Sequence, residues 1–267
     1  LNLRIKEQDD GGKGGFPLSR LFPNMVTLMG LCMGLFALKY AMVEQWQTAV
    51  MLIIIAAFVD GLDGRLARML NASSEFGAQL DSLTDFVNFG VAPALIIYMW
   101  KGHEIKGVGW AVALFFIISM ALRLARFNAG LSEDVQGHEA ELQDRFFQGI
   151  PAPCGAALSL IPMIITFLFE EKLGYQLFVI TTPMVIIYSV IIAIFMVSRV
   201  PTISVKKIKI RKEYVSLFMA ASALFIISLI IEPWVTLPLL GLGYLATIPF
   251  SIVQYYQFKS GIVRKKS

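Results

Sequence analysis

Four aspartates crowd one stretch of the chain, DGLDGRLARMLNASSEFGAQLDSLTD, with Asp60 and Asp63 three apart and Asp81 and Asp85 four apart. On a helix either spacing puts both carboxylates on one face. Gly64, Ala67 and Arg68 continue the first face, and Gly77 lies one turn before Asp81 on the second. A short connection near residues 70–76 makes the two helices antiparallel neighbours, so the acidic faces can meet. Two carboxylates about 5 Å apart repel by roughly 3 kcal/mol at an effective dielectric near 20. A hard divalent cation with all-oxygen ligands removes that cost, and suits Mg²⁺, Mn²⁺ or Ca²⁺ better than zinc. Four carboxylates around two such ions would make the kind of site that clamps a phosphoryl transfer. Gly64 and Gly77 leave room for a ligand or for close helix packing. The plainer alternative is a solvated acidic face paired with Arg65 and Arg68. The full spacing, D-x2-D-G-x2-A-R-x8-G-x3-D-x3-D, fixes eight positions, more than a solvated face requires.

The surroundings of these acids are apolar. Of 267 residues, 57% are hydrophobic and 16% charged, with a mean hydropathy of +0.68, which excludes an ordinary soluble domain. Apolar runs of about twenty residues match a bilayer core. They predict an all-α integral membrane protein with eight spans, over 24–43, 47–69, 77–100, 108–128, 151–169, 176–198, 214–231 and 234–257. A charge at membrane depth costs roughly 2.5–3.5 kcal/mol, so four acids at the ends of two spans need compensation, and metal is the simplest. Residues 1–22 read as a cytosolic tail or short interfacial helix without a signal peptide. Pro23 suits the start of the first helix. Cys32 and Cys154 lack metal-ligand spacing and read as small core residues.

The basic residues are asymmetric. Alternate loops place 19 of the 23 Lys and Arg on one side, and only Lys39, Lys101, Lys106 and Lys172 on the other. Positive charge stays inside, so both termini and the acid-rich stretch are expected to be cytoplasmic. The net charge of +4 then serves topology and anionic lipid rather than nucleic acid. The chain divides into a segment 1–22, a six-helix core 23–198, a basic linker 199–213 and a two-helix extension 214–267. The linker is a positive-inside anchor or a holder of anionic lipid.

Asp60, Asp63, Gly64, Ala67, Arg68, Gly77, Asp81 and Asp85 match every position of the signature of the CDP-alcohol phosphotransferases, which the chain resembles over roughly 23–198. The resemblance implies a six-helix membrane enzyme that cleaves a CDP-linked donor, transfers the substituted phosphoryl group to an alcohol and releases CMP. It implies two divalent cations, Mg²⁺ or Mn²⁺, on Asp60, Asp63, Asp81 and Asp85, with Asp85 also taking the proton of the acceptor hydroxyl. Gly64, Ala67, Arg68 and Gly77 would line the cytidine and pyrophosphate site. Further stretches, PNMVT at 23–27, DFVNFGVAPA at 85–94, ALRLARFNAG at 121–130 and FFQGIPAP at 146–153, resemble the phosphatidylserine synthase branch. That branch implies CDP-diacylglycerol as donor, L-serine as acceptor, a bacterial inner membrane and a homodimer.

Other residues acquire candidate roles around this core. Asn24 and Thr27 share a face at the expected first turn of the first helix, where free backbone N–H groups favour a phosphate; Asn24 alternatively caps that helix. Asn88 lies three residues beyond Asp85 and either meets the acceptor or bridges helices. Arg123 and Arg126 are candidates for an acceptor carboxylate, since paired guanidinium donors match one; the alternative is snorkelling to the interface. Asn128 and Arg145 are further acceptor candidates. Pro151 and Pro153 shape the start of the fifth span, and Gly30 and Gly34 form a packing motif open to a subunit contact. His103 and His138 have no ligand partner at helical spacing. With no Ser/His/Asp or Cys/His set, direct displacement is expected rather than a covalent enzyme intermediate. Two rivals remain: another acceptor (glycerol 3-phosphate, inositol phosphate or choline), and a cation transporter using the acids as its ion path.

Overall fold

The computed structural model describes residues 18–70, 74–131, 146–173, 180–203 and 214–264. Ten α-helices carry the described chain: α1 Leu18–Met42, α2 Trp46–Met69, α3 Glu75–Asp85, α4 Ala92–Trp100, α5 Val108–Leu131, α6 Ala152–Ser159, α7 Ile161–Leu173, α8 Thr182–Val197, α9 Val215–Ile231 and α10 Pro233–Arg264. A π-helical segment, Phe86–Val91, joins α3 to α4. Two short strands that no sequence pattern marks, β1 Phe146–Gln148 and β2 Pro201–Ile203, pair antiparallel with Phe147 opposite Thr202.

Each expected span falls mostly on helix in its described part. Four helical stretches are long and apolar enough to cross a bilayer: Phe22–Met42, Glu75–Trp100, Val108–Gly130 and Pro233–Gln257. The bent pair α6–α7 makes a fifth if taken as one span, while α8 and α9 are apolar but shorter. Helix α2 has the length but carries Asp60, Asp63, Arg65 and Arg68 in its last turns. The chain is an all-α membrane protein.

Proline explains both breaks inside spans. Pro162 has no N–H for the carbonyl of Leu158, so the helix bends by 42° between α6 and α7, and the freed carbonyl accepts from the Tyr188 hydroxyl at 2.9 Å. Pro93 likewise leaves the α ladder at the start of α4; one residue earlier, Ala92 N–H reaches back five residues to Val87, widening the turn. Pro23 departs from expectation. Helix α1 begins at Leu18 and contains Pro23, whose carbonyl accepts from Thr27 Oγ1 at 3.1 Å. Asn24 is therefore neither a cap nor in the first turn, and orphan backbone donors give it no phosphate site.

Helix α1 is the hub, packed against α2, α3, the π segment and α4. Its seam with α2 is lined by alanines, with Ala37, Ala41, Ala49 and Ala56 fully or almost fully buried, and small side chains let helix backbones approach closely. Phe89, Ile96, Phe116 and Met120 fill the middle of the bundle, and Leu158, Met163, Ile192 and Met196 its far side. Helix α10 lies on α7 and β2, while α9 touches α10 and buries none of its own residues. Cys154 is half-buried, but Cys32 is exposed on the outer surface of α1, so the expectation of two core cysteines holds only in part.

Candidate functional site

The acidic site is built where α2 ends and α3 begins. Residues 71–73 lie outside the described part, and α3 restarts at Ser74, whose side chain accepts from Gly77 N–H at 3.0 Å as an N-cap. The two helices present their acids to one another. One carboxylate oxygen from each of Asp60, Asp63 and Asp81 lies within 4.8 Å of the others. Asp85, one turn beyond Asp81, comes within hydrogen-bonding reach of Asp60 and keeps its Oδ1 buried without a partner among the described residues. At 4.8 Å, a pair of carboxylates repels by about 3–4 kcal/mol at an effective dielectric near 20.

The described residues offer these acids little compensation. The ion pair Lys101–Glu104 lies far along the sequence and involves none of the four acids. Arg65 and Arg68, which a solvated face would need as partners, make no ion pair with them; Arg68 turns back to donate from Nε to the Gly64 carbonyl at 3.0 Å. Asp63 is 4% exposed, and it rests against the Thr27 side chain and the Gly64 N–H. A cluster of hard oxygen donors, half-buried, with one orphaned oxygen and no ion-pair partner among the described residues, fits divalent cations.

Helix α1 brings its own residues to both acidic helices. Thr27 reaches Asp63 on α2. Asn24 meets α3 at Gly77, where an added Cβ would lie 2.9 Å from Asn24 Oδ1 and 3.1 Å from Ser74 Oγ. Among the described residues nothing lies within 4 Å of where a Cβ on Gly64 would stand. Ala67 and Arg68 follow on the same helix. Donor-site candidates and acids therefore share one corner of α1, α2 and α3.

The remaining candidates separate. Asn88, 0% exposed, donates from Nδ2 to the Gly30 carbonyl at 3.0 Å, and its Oδ1 stands where a side chain on Gly34 would go. It bridges helices, and the Gly30–Gly34 motif is spent on this contact within the chain. Arg126 donates to the carbonyls of Val197 at 2.8 Å and Ser198 at 3.4 Å, closing the C-terminus of α8. Arg123 donates from Nε to the Ile150 carbonyl at 2.5 Å and faces the charge of Asp85. Asn128 bonds Ser82 on α3 at 3.1 Å. Arg145, His138 and most of the basic linker lie outside the described residues, and His103 is exposed.

Two contributors escaped the sequence reading. Ser74 opens α3, and the pattern of a serine followed by glutamate before an apolar helix was a readable N-cap signal. Ser82 ties α3 to α5 through Asn128, and only its position next to Asp81 hinted at a role.

Residues 20–188 match the CDP-alcohol phosphatidyltransferase family, and residues 213–249 match a second family described as CDP-alcohol phosphatidyltransferase 2. A relative from Mycobacterium leprae named CDP-diacylglycerol–serine O-phosphatidyltransferase is 35% identical over 87% of this chain and 75% of its own length. One of the same name from Helicobacter pylori is 34% identical over 71% of this chain and 74% of its own. Another from Bacillus subtilis is 38% identical over 40% of this chain and 60% of its own.

Proposed function

This chain belongs to the CDP-alcohol phosphatidyltransferase family, and on that premise we propose that it transfers the phosphatidyl group of CDP-diacylglycerol to the hydroxyl of L-serine, giving phosphatidylserine and CMP. The observation that carries the reading is the meeting of Asp60, Asp63 and Asp81 within 4.8 Å, with the orphaned Asp85 oxygen beside them. The names of the relatives support the donor and the acceptor.

Asp60, Asp63, Asp81 and Asp85 would hold two divalent cations, Mg²⁺ or Mn²⁺. When bound, such ions neutralise pyrophosphate charge and stabilise the departing phosphate. The protein's own part is largely positioning. Gly64 leaves the backbone of α2 open to the donor, Asn24 and Gly77 set the approach of α1 to α3, and Thr27 packs beside Asp63. Ala67 and Arg68 extend the donor side. The serine hydroxyl attacks the lipid-linked phosphorus, the bond from that phosphorus to the CMP oxygen breaks, and Asp85 takes the hydroxyl proton. Holding both reactants together supplies much of the rate. Arg123, Asn128 and Arg145 are the acceptor-side candidates, while Arg126 and Asn88 act through the helices they tie.

The 19-to-4 division of basic residues supports eight spans with both termini, and the site, on the cytoplasmic face. Bacterial relatives support an inner-membrane location, and the family resemblance supports a homodimer and the division at 23–198, 199–213 and 214–267. The purified chain in mixed micelles with CDP-diacylglycerol and Mn²⁺ or Mg²⁺, offered each candidate alcohol, tests the reading through CMP release. Serine should give release. Release with glycerol 3-phosphate and none with serine would overturn the acceptor.

A further inference from the structure

The two C-terminal helices lie outside the six-helix core, yet one of them reaches it. Helix α10 packs on α7 and β2, and Gly241 makes the approach close: a Cβ there would collide with Ile161 Cδ1 and stand 3.3 Å from Leu158 Cδ2. One turn on, Tyr244 points inward. Its hydroxyl is buried without a hydrogen-bond partner among the described residues. It lies beside the Thr202 side chain and within electrostatic range of Arg123. The Thr202 hydroxyl gives its own proton to the Gly149 carbonyl at 3.0 Å; its oxygen keeps lone pairs, but the two hydroxyls do not meet in hydrogen-bonding geometry. Burying a phenol with its O–H unused costs free energy, so the position suits an acceptor group.

Arg123 has the complementary shape. Its Nε is held by the Ile150 carbonyl at 2.5 Å, and that carbonyl is placed by Gly149, whose φ of 79° is a left-handed turn suited to glycine. The two terminal nitrogens make no hydrogen bond among the described residues. Arg126, by contrast, has spent its terminal nitrogens on the end of α8. Arg123 and Asp85 feel each other's charge without forming an ion pair. Two half-buried opposite charges that do not pair with each other favour a group that answers both.

We propose that Tyr244 is a specificity-determining residue: its hydroxyl and the free guanidinium edge of Arg123 together receive the carboxylate of the acceptor, which makes α10 part of the acceptor site. A carboxylate has lone pairs for a two-pronged guanidinium and a third donor, and the Asp85 side of the gap is left for the reacting hydroxyl. This rests on the proposed amino-acid acceptor and adds to it the element that reads the carboxylate.

Tyr244→Phe removes one oxygen and keeps the ring. In the full-length protein in mixed micelles with CDP-diacylglycerol and Mn²⁺, CMP release should show a serine KM raised about tenfold or more, the loss expected for a hydrogen bond to a charged group. The donor KM and kcat should stay within about twofold, as for a lost contact made equally in ground and transition states. L-serinamide, which lacks the carboxylate, should be used poorly by the unmodified enzyme, and the serine-to-serinamide preference should shrink in Y244F. An unchanged serine KM, an equal rise for serine and serinamide, or loss of monodisperse folded protein would overturn the proposal, the last two marking Tyr244 as packing. Serine-dependent release that Y244F leaves untouched overturns this inference alone; no release with serine in the unmodified enzyme overturns the acceptor assignment and this inference together.

Discussion

Gly34→Ala should disable the turn that follows Asp85, although residue 34 touches no carboxylate. A Cβ at this position would overlap Asn88 Oδ1 and lie 2.8 Å from Asn88 Cγ and 3.3 Å from its Cα. Asn88 is 0% exposed and anchored through Nδ2 to the Gly30 carbonyl, so it cannot swing away without leaving a buried amide unpaired, at about 1–3 kcal/mol. Moving α1 or the π segment instead costs about 1–3 kcal/mol as overpacking. Relief will mix the two, for a net loss of about 2–4 kcal/mol, or roughly 5–15 °C in the unfolding midpoint for a chain of this size. Activity should fall with it, because Asp85 is the residue immediately before the displaced segment. Thermal unfolding in detergent, followed by size-exclusion and by CMP release, measures both effects. Asn88→Ala in the same chain removes most of what the new methyl strikes, so the double variant should be more stable than the sum of the single effects predicts. A G34A protein with the parental midpoint, or strictly additive single effects, would refute the contact.

Asp60→Asn and Asp81→Asn should each lower CMP release by at least about a hundredfold at every pH tested, and excess Mn²⁺ should not restore it; retained turnover at saturating metal would break the two-cation account. In chelated, metal-free protein the same substitutions should raise the unfolding midpoint, because each removes carboxylate repulsion of about 3–4 kcal/mol per close pair. A lower midpoint would mean that the acids are not forced together. Glu104, in the loop after α4, is held below the usual carboxylate range by the Thr182 hydroxyl and then by Lys101. A depressed carboxylate stabilises the fold above its unfolded-state pKa, and that stabilisation fades as pH falls through the folded value. Glu104→Gln should therefore melt below the parent at neutral pH, with the gap closing in acid; a constant gap from pH 7 to 3 would rule the linkage out.

Much of the chemistry was legible from local pattern. Helical spacing put Asp60 with Asp63 and Asp81 with Asp85, apolar runs marked the chain as an all-α membrane protein, and the eight-position signature pointed to the family that residues 20–188 match. Such features are periodic or composed of neighbours in sequence, so the chain alone carries them. Distant pairings were hidden, because a side chain's partner depends on how helices dock. Arg123 and Arg126 look alike three residues apart, yet docking of α8 consumes one fork and leaves the other open. Gly30 and Gly34 read as a helix-packing pair open to a subunit contact, and only the docking of the π segment makes Asn88 of the same chain the group that packs there. Pro23 suggested a helix start because local preference favours it, whereas the helix runs through it from Leu18. Nothing near Tyr244 in the sequence marks it; only the packing of α10 on the core brings its hydroxyl toward Arg123. Local spacing thus determined which residues hold the acids together, and tertiary packing decided which polar groups remain free to meet a substrate.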